Sequence, residues 1–341
     1  MNHSEPILSV IIPLFNTDQF IEECILSIVR NDVDPGLFEV IVVDDGSTDS
    51  SAKIVKELTE EYHNIRLIQQ ENQGVSVARM NGVAKAKGEY IWFIDSDDYI
   101  SADAVSELLS DINHHPDIDV FVPPMFLFYE DSRPGFATHT LKERYVTSGK
   151  DLFQRKDFFL VGPPQFITRR SLFANDWLCF PRGIRYEDEY FSRVLKYLAN
   201  RFMILERPLY FYRQWNGSHM NSVRMEGAND VIAVYKHLDL FMNQSVLPED
   251  ESWFRYNIVS FLLESYTRNL SFVNTVEFKS FRKEKGLFIS REFVRYRKCF
   301  PLKDRVLAFI LLHSPHIYLR VILLARRIKR IVAFRDGYSV A

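Results

Sequence analysis

Phe38-Glu39-Val40-Ile41-Val42-Val43-Asp44-Asp45-Gly46-Ser47 and Tyr90-Ile91-Trp92-Phe93-Ile94-Asp95-Ser96-Asp97-Asp98 follow one plan, a short β-branched or aromatic run that ends in carboxylates. Continuous apolar runs of this length read as strands buried on both faces of a parallel sheet. Open α/β sheets bind ligands beyond the carboxyl ends of their strands, so both acidic clusters are expected at one crevice. Carboxylates crowded there repel one another unless a cation lies among them. The spacing of Asp95 to Asp98 suits a hard divalent ion such as Mn²⁺ or Mg²⁺ with oxygen ligands, so a metal-bound phosphate ligand is the first chemical expectation.

The same alternation runs outward in both directions. Leu8 to Pro13 reads as a strand, and Thr17 to Arg30 as a helix with Phe20, Ile21, Cys24, Ile25 and Ile28 on one face. A strand from Phe38 to Val43, a helix from Ser50 to Tyr62, a strand from Ile65 to Gln69, a helix from Val75 to Ala86 and a strand from Tyr90 to Ile94 follow. Such βαβ units predict an α/β fold, a mostly parallel central sheet with helices on both faces. After Ser101 a helix from Ala102 to Asn113 and a single buried strand from Asp119 to Phe128 are expected, then a loop-rich stretch marked by Pro134, Gly135, Gly149, Gly162, Pro163 and Pro164. Beyond Gly227 the chain turns to helices rich in Phe, Tyr and Leu. The expected division is 1–226 for the sheet domain and 227–341 for a C-terminal helical extension.

A length of 341 residues accommodates that arrangement, and a net charge of −3 argues against a nucleic-acid partner. Cys24, Cys179 and Cys299 are odd in number and far apart, which fits buried thiols in a reducing compartment. The first residues lack the basic and apolar regions of a signal peptide, so a cytoplasmic address is expected. From Lys303 to Ala341 eight basic residues face only two acidic ones. The 14 uncharged residues from Val306 to Leu319 fall short of the roughly 18 to 20 needed to span a bilayer, and Pro315 interrupts them. Ile317, Val321, Leu324, Ile328 and Val332 form an apolar stripe apart from Arg326, Arg327, Lys329 and Arg330. That tail suits an anionic membrane surface, or equally a helix packing on its own protein or a second copy.

Four segments add a resemblance: Ser9-Val10-Ile11-Ile12-Pro13-Leu14-Phe15-Asn16, the Asp-Asp-Gly-Ser-Thr-Asp run from Asp44 to Asp49, Gln73-Gly74 to Ala78-Arg79 with Asn81-Gly82, and Asp95-Ser96-Asp97-Asp98. In order and spacing they resemble the family 2 glycosyltransferases of the GT-A fold, of the kind that build bacterial surface polysaccharides. Tyr186-Glu187-Asp188-Glu189-Tyr190-Phe191 is similar to the family's Glu-Asp motif, and Tyr210 to Ser218 to its closing Tyr-x-Tyr-Arg segment.

The resemblance implies a Rossmann-like GT-A domain and inverting transfer of a sugar from a nucleotide-sugar donor, with UDP favoured, to a glycan or lipid-linked oligosaccharide acceptor. It implies a divalent metal held by Asp97 and Asp95; His219, whose imidazole suits Mn²⁺ and related ions, is a further candidate to complete the metal or diphosphate site. Asp45 would read the base, Pro13 and Phe15 would wall the same pocket, Arg79 would contact base or phosphate, Asp95 the ribose, and Arg213 the diphosphate. A carboxylate at position 45 accepts the ring N–H of uracil, which thymine shares. Asp188 would be the general base, with Glu187 raising its pKa through like charge, and Trp215 would stack on an acceptor sugar.

Taken singly, these residues have plainer readings. Asp95 to Asp98 could cap the next helix, Asp44-Asp45-Gly46 could be a polar turn, Glu187 to Glu189 could be the acidic first turn of a helix, Arg79 a solvated charge, Arg213 an ion-pair partner and Trp215 a packing residue. Two other classes compete: a catalytically inactive membrane-peripheral scaffold of the same fold, and a metal-dependent phosphohydrolase of the haloacid-dehalogenase kind. The latter places its Asp-x-Asp near the first strand and continues to a Thr, whereas here the run starts at Asp95 and Tyr occupies position 99.

Overall fold

The computed structural model describes residues 5–130, 133–138, 143–154, 162–215, 227–270 and 285–313. The chain divides into two compact units, Met1–Ser222 and Val223–Ala341.

The first unit is built on an eight-stranded sheet. Its left half comes from the alternation read in the sequence: β1 (Leu8–Leu14), α1 (Ile21–Val29), β2 (Phe38–Asp44), α2 (Ser51–Glu61), β3 (Ile65–Gln69), α3 (Val75–Lys85) and β4 (Tyr90–Phe93). These four strands pair in parallel in the order β3-β2-β1-β4. Every residue of β1, β2 and β4 is buried, as expected of strands covered on both sides. Side chains alternate across β1. Val10, Ile12 and Leu14 join a core with Cys24, Ile25 and Ile28 of α1 and with Val55 and Leu58 of α2. Ile11 faces the other way onto α3, where only glycine fits: a Cβ at Gly82 would lie 2.4 Å from Ile11 Cγ2.

α1 is shorter at its start than the sequence suggests. Thr17 turns inward to hydrogen-bond through its amide with Ser51 Oγ, and its hydroxyl donates to Ser96 Oγ at 2.9 Å, which delays the helix to Ile21.

The right half departs further from expectation. Asp119 to Phe128 is two strands, β6 (Val120–Val122) and β7 (Met125–Tyr129), and they lie in different sheets. Pro123-Pro124 separates them, since neither proline can donate to a ladder. α4 (Ala104–His114) precedes β6, and β5 (Tyr99–Ile100) precedes α4. The large sheet continues β4-β10-β6-β11-β9, with β9 (Tyr145–Thr147), β10 (Ile167–Arg169) and β11 (Phe202–Ile204). β10 runs antiparallel to both neighbours and β9 antiparallel to β11, so the sheet is mostly parallel with two reversed strands. α6 (Glu187–Leu198) completes the layer on the Ile11 face, where its Phe191 stacks on Phe180 and meets Phe93 edge-on, and α5 (Gly149–Gln154) packs against α6. A four-stranded second sheet, β5-β12-β7-β8, adds β8 (Phe136–Ala137) and β12 (Tyr210–Gln214).

The second unit is helical: α7 (Gly227–Ser245), α8 (Glu251–Leu270), α9 (Leu287–Tyr296) and α10 (Leu302–His313). Arg255 of α8 is buried, ion-pairs with Asp239 of α7 at 2.9 Å and lies 3.8 Å from the ring centre of Tyr296. Among the described residues no helix is long and apolar enough to cross a membrane. The tail stripe from Ile317 to Val332 and the cations at Arg326, Arg327, Lys329 and Arg330 lie outside the described residues.

Candidate active site

Because β1, β2 and β4 are parallel neighbours, their carboxyl ends bring Phe15, Asp45 and Asp95 to one edge of the sheet. Pro13 is buried inside β1 opposite Val43, while Phe15, just past the strand, is 45% exposed. Asn16 follows in a left-handed conformation, φ 51°, and its side-chain oxygen accepts from the amide of Thr48 at 2.8 Å. This ties the end of β1 to the turn after β2.

Asp45 is almost fully buried. Its Oδ1 accepts from the amide of Gln73 at 2.8 Å and from Gln70 Nε2 at 2.7 Å, and its Oδ2 accepts from the amide of Gly74 at 2.8 Å. The carboxylate thus orders the loop leading into α3, at a glycine whose φ of 89° disfavours other residues. Asp44 accepts from the amide of Ser47 and from Gln69 Nε2.

The acidic run after β4 splits into three different environments. Asp95 Oδ1 ion-pairs with Arg79 Nη2 at 2.9 Å, and Asp97 Oδ2 accepts from Trp215 Nε1 at 2.9 Å. Asp98 turns inward instead. It is buried, takes the hydroxyl of Tyr210 and the amide of Arg213 at 2.7 Å, and so bolts β12 to the end of β4. Burial pushes the Asp98 carboxyl well above the usual range, with the charges of Asp97 and Asp95 adding to it. Asp97 is also raised, first by burial and then by Asp95, while the indole N–H and Arg213 pull the other way.

Arg79 links this edge to α6. Its guanidinium is buried 5.1 Å from the ring centre of Phe180 and reaches Glu187 Oε1 through Nη1 at 2.9 Å as well as Asp95. Glu187 and Asp188 open α6, preceded by Tyr186 in the left-handed region at φ 62°, an uncommon conformation for a bulky residue. Asp188 is half-buried and accepts from the amide of Glu189 at 2.9 Å. Burial, with the charges of Glu187 and Glu189 behind it, pushes its carboxyl up to about 7, against the pull of that amide and of Arg79. Glu189 is a buried ion-pair partner of Arg193 one turn on.

Arg213 is buried between the rings of Phe20, Tyr99 and Phe128 and pairs with Glu23 and Glu130; its Nε donates to the carbonyl of Asp97 at 2.9 Å. Trp215 meets Phe20 edge-on at 5.0 Å while its N–H holds Asp97. His219 lies outside the described residues.

Among the described residues no three His, Cys, Asp or Glu side chains converge as a ready-made metal cage. The pair Asp95 and Asp97 still fits a hard divalent ion. Arg79 binds one oxygen of Asp95 and Trp215 one oxygen of Asp97, and ions such as Mg²⁺ commonly take one or two carboxylates and complete their shell with phosphate and water.

Three features here had no local signal: the bridge from Arg79 to Glu187, the inward turn of Asp98 onto Tyr210, and the left-handed Tyr186. The first two join residues 108 and 112 positions apart.

Residues 9–177 match the family described as glycosyl transferase family 2. The chain is 31% identical over 249 residues to the uncharacterized glycosyltransferase EpsJ of Bacillus subtilis, covering 69% of this chain and 71% of that protein. It is 28% identical over 219 residues to the poly(ribitol-phosphate) beta-N-acetylglucosaminyltransferase TarS of Staphylococcus aureus, covering 63% of this chain and 37% of that protein. A crystal structure of residues 1–349 of S. aureus TarS in complex with UDP-GlcNAc has the same fold, with a TM-score of 0.64 over 98% of this chain and 93% of that one at 22% identity. With its ordered acidic motifs on a GT-A sheet and a relative of this closeness, the chain belongs to glycosyl transferase family 2 and is a glycosyltransferase.

Proposed function

We propose that the chain transfers a sugar from a UDP-sugar to a hydroxyl of a glycan or lipid-linked glycan, with inversion at the anomeric carbon, during assembly of a cell-surface polysaccharide. The observation that carries this reading is the link running from Asp95 through Arg79 to Glu187. It holds the acidic end of β4 and the first turn of α6, in which Asp188 follows Glu187, to one guanidinium, and this supports a shared site for donor and base. TarS, whose fold is shared and whose crystals held UDP-GlcNAc, supports uridine as the donor base.

In this reading Asp188 takes the proton of the acceptor hydroxyl as that oxygen attacks the anomeric carbon. A carboxyl raised to about 7 is a competent base near neutral pH. The bond to the diphosphate breaks on the opposite face, and a single in-line displacement of this kind inverts the centre. Asp95 and Asp97 would hold a divalent ion, which when bound neutralises charge on the departing diphosphate. Asp45 keeps the loop before α3 in place as a wall for the nucleotide, and exposed Phe15 offers an apolar surface beside it. A lipid-carried acceptor would place the work at the inner face of a cell membrane.

The test is a panel of nucleotide sugars with Mn²⁺ or Mg²⁺, reading UDP release and, in parallel, nucleotide binding by calorimetry. A UDP-sugar that binds and turns over in the wild type, and binds without turnover in Asp188→Asn, is the expected result. Binding of no nucleotide sugar, or undiminished turnover in Asp188→Asn, would overturn it.

A further inference from the structure

An ordinary amphipathic helix turns its apolar stripe inward and polar groups outward. α9 and α10 do more than that. Inward they bury Ile289 and Phe293, and Ala308 and Leu312. Outward, α9 exposes Leu287 (56%) and Val294 (52%), with Arg291 and Arg295 of the helix and Lys298 of the turn after it also exposed. α10 exposes Leu302 (75%), Val306 (52%) and Phe309 (58%), at i, i+4 and i+7 on one face.

The charge is as one-sided as the apolarity. Residues 285–313 carry seven basic and two acidic side chains. Both acids are spent within the unit: Glu292 accepts from the hydroxyl of Tyr235 at 2.6 Å and Asp304 from that of Tyr256 at 2.9 Å. No acidic side chain is exposed among the described residues of this segment, whereas Arg291, Arg295, Arg297 and Lys298 all are.

We propose that the outward faces of α9 and α10 dock on an anionic lipid bilayer. The proposal deepens the reading of a lipid-carried acceptor and rests on it for the biological setting. A surface that mixes large apolar side chains with cations suits the boundary between headgroups and acyl chains. Two other occupants fit less well. Residues 314–341 are themselves basic, with Arg320, Arg326, Arg327, Lys329, Arg330 and Arg335 against Asp336, so this segment shares the sign of the faces it would cover. A second copy meeting the same face across a two-fold axis would oppose cation to cation. An anionic membrane satisfies both the apolar and the cationic residues, and it would bind the basic tail in the same way.

The full chain should be sedimented with vesicles of phosphatidylcholine alone and with vesicles containing phosphatidylglycerol, at low and high salt. Binding at least tenfold tighter to the anionic vesicles, weakened by salt, is expected. Two sets of substitutions at exposed positions, Leu302→Gln with Val306→Gln and Arg291→Glu with Arg295→Glu, should each lower that binding at least tenfold with the circular dichroism spectrum unchanged. A tail variant with Arg326, Arg327, Lys329 and Arg330 changed to Gln should keep the part of the binding that the helix variants lose. Wild-type binding by both helix variants, or absence of binding to anionic vesicles, overturns the proposal. So does a dimer in light scattering that the helix variants dissolve, which would assign the faces to self-association. UDP-sugar turnover without vesicles reports on the active site alone, so a failure of docking and a failure of the transferase reading are separately visible.

Discussion

Arg79 Nη1 lies 2.9 Å from Glu187 Oε1, and the same buried guanidinium holds Asp95 Oδ1 at 2.9 Å through Nη2. One side chain of α3 therefore joins a strand end to the first turn of a helix more than ninety positions further along the chain. The pairing is fork-like, which an ammonium point charge cannot reproduce.

Removing that fork leaves two partly buried carboxylates without their cation. Arg79→Met should destabilise the fold by about 3 kcal/mol, in the range for breaking a buried pair from one side. Arg79→Lys should recover part of the stability, because one ammonium can serve only one of the two acids well. Urea unfolding followed by tryptophan fluorescence checks the ranking, and equal midpoints for wild type and both variants would refute it.

Asp188→Asn should lower transfer by about 10² to 10⁴-fold, the usual contribution of a general base, with donor affinity little changed. In the wild type kcat/KM should fall about tenfold per pH unit below about 7, because only the ionised carboxylate accepts the proton. The limb should vanish in the variant's residual rate.

The same group makes a stability prediction with the opposite sign. Its folded pKa of about 7 lies above the ordinary 3.8, so the fold holds this proton more tightly than the unfolded chain does. That contribution is full below the ordinary value and is lost as pH rises through about 7. Melting temperatures of Asp188→Asn relative to wild type should therefore improve from about pH 5 to about pH 8. A gap that stays constant over that window would show that position 188 does not titrate there.

Asp97→Ala should remove most metal-dependent UDP binding, read by calorimetry with and without Mn²⁺. Trp215→Phe keeps the contact with Phe20 but deletes the hydrogen bond to Asp97, and its effect on the same binding should be several-fold rather than complete.

Gly82→Ala would set a methyl group 2.4 Å from Ile11 Cγ2, inside the contact between α3 and β1. A cost of about 1 to 3 kcal/mol is expected for overpacking a core of this density. Combining it with Ile11→Ala should give less than the sum of the two single effects, which a double-mutant cycle measures.

The left half of the large sheet was legible because β1, β2 and β4 are mostly apolar runs buried along their length and the helices α1 and α2 carry their apolar residues on one face. The acidic run at Asp95 was legible as a cluster at a strand end for the same local reason. The right half was not. Strands β6, β10 and β11 have three residues each, too few for a period to show, and β7 leaves for another sheet at Pro123-Pro124 although the apolar pattern runs on past it. Within the candidate site, motifs named the candidate residues but not their partners. Whether Arg79 meets a phosphate or Glu187 depends on how α3 and α6 pack, and Arg213, a diphosphate contact by resemblance, sits among aromatic rings and carboxylates.

Asp98 shows what that division of labour means for genetics. Its neighbour Asp97 accepts from the indole of Trp215, whereas Asp98 fastens β12 to the strand end through Tyr210 and the amide of Arg213. An alanine scan scored only by product formation would rank the two acids alike. On the proposed reading of Asp97, one loss would come from an intact scaffold without its metal-holding carboxylate, the other from a scaffold that never assembled, and abundance in the cell would tell them apart.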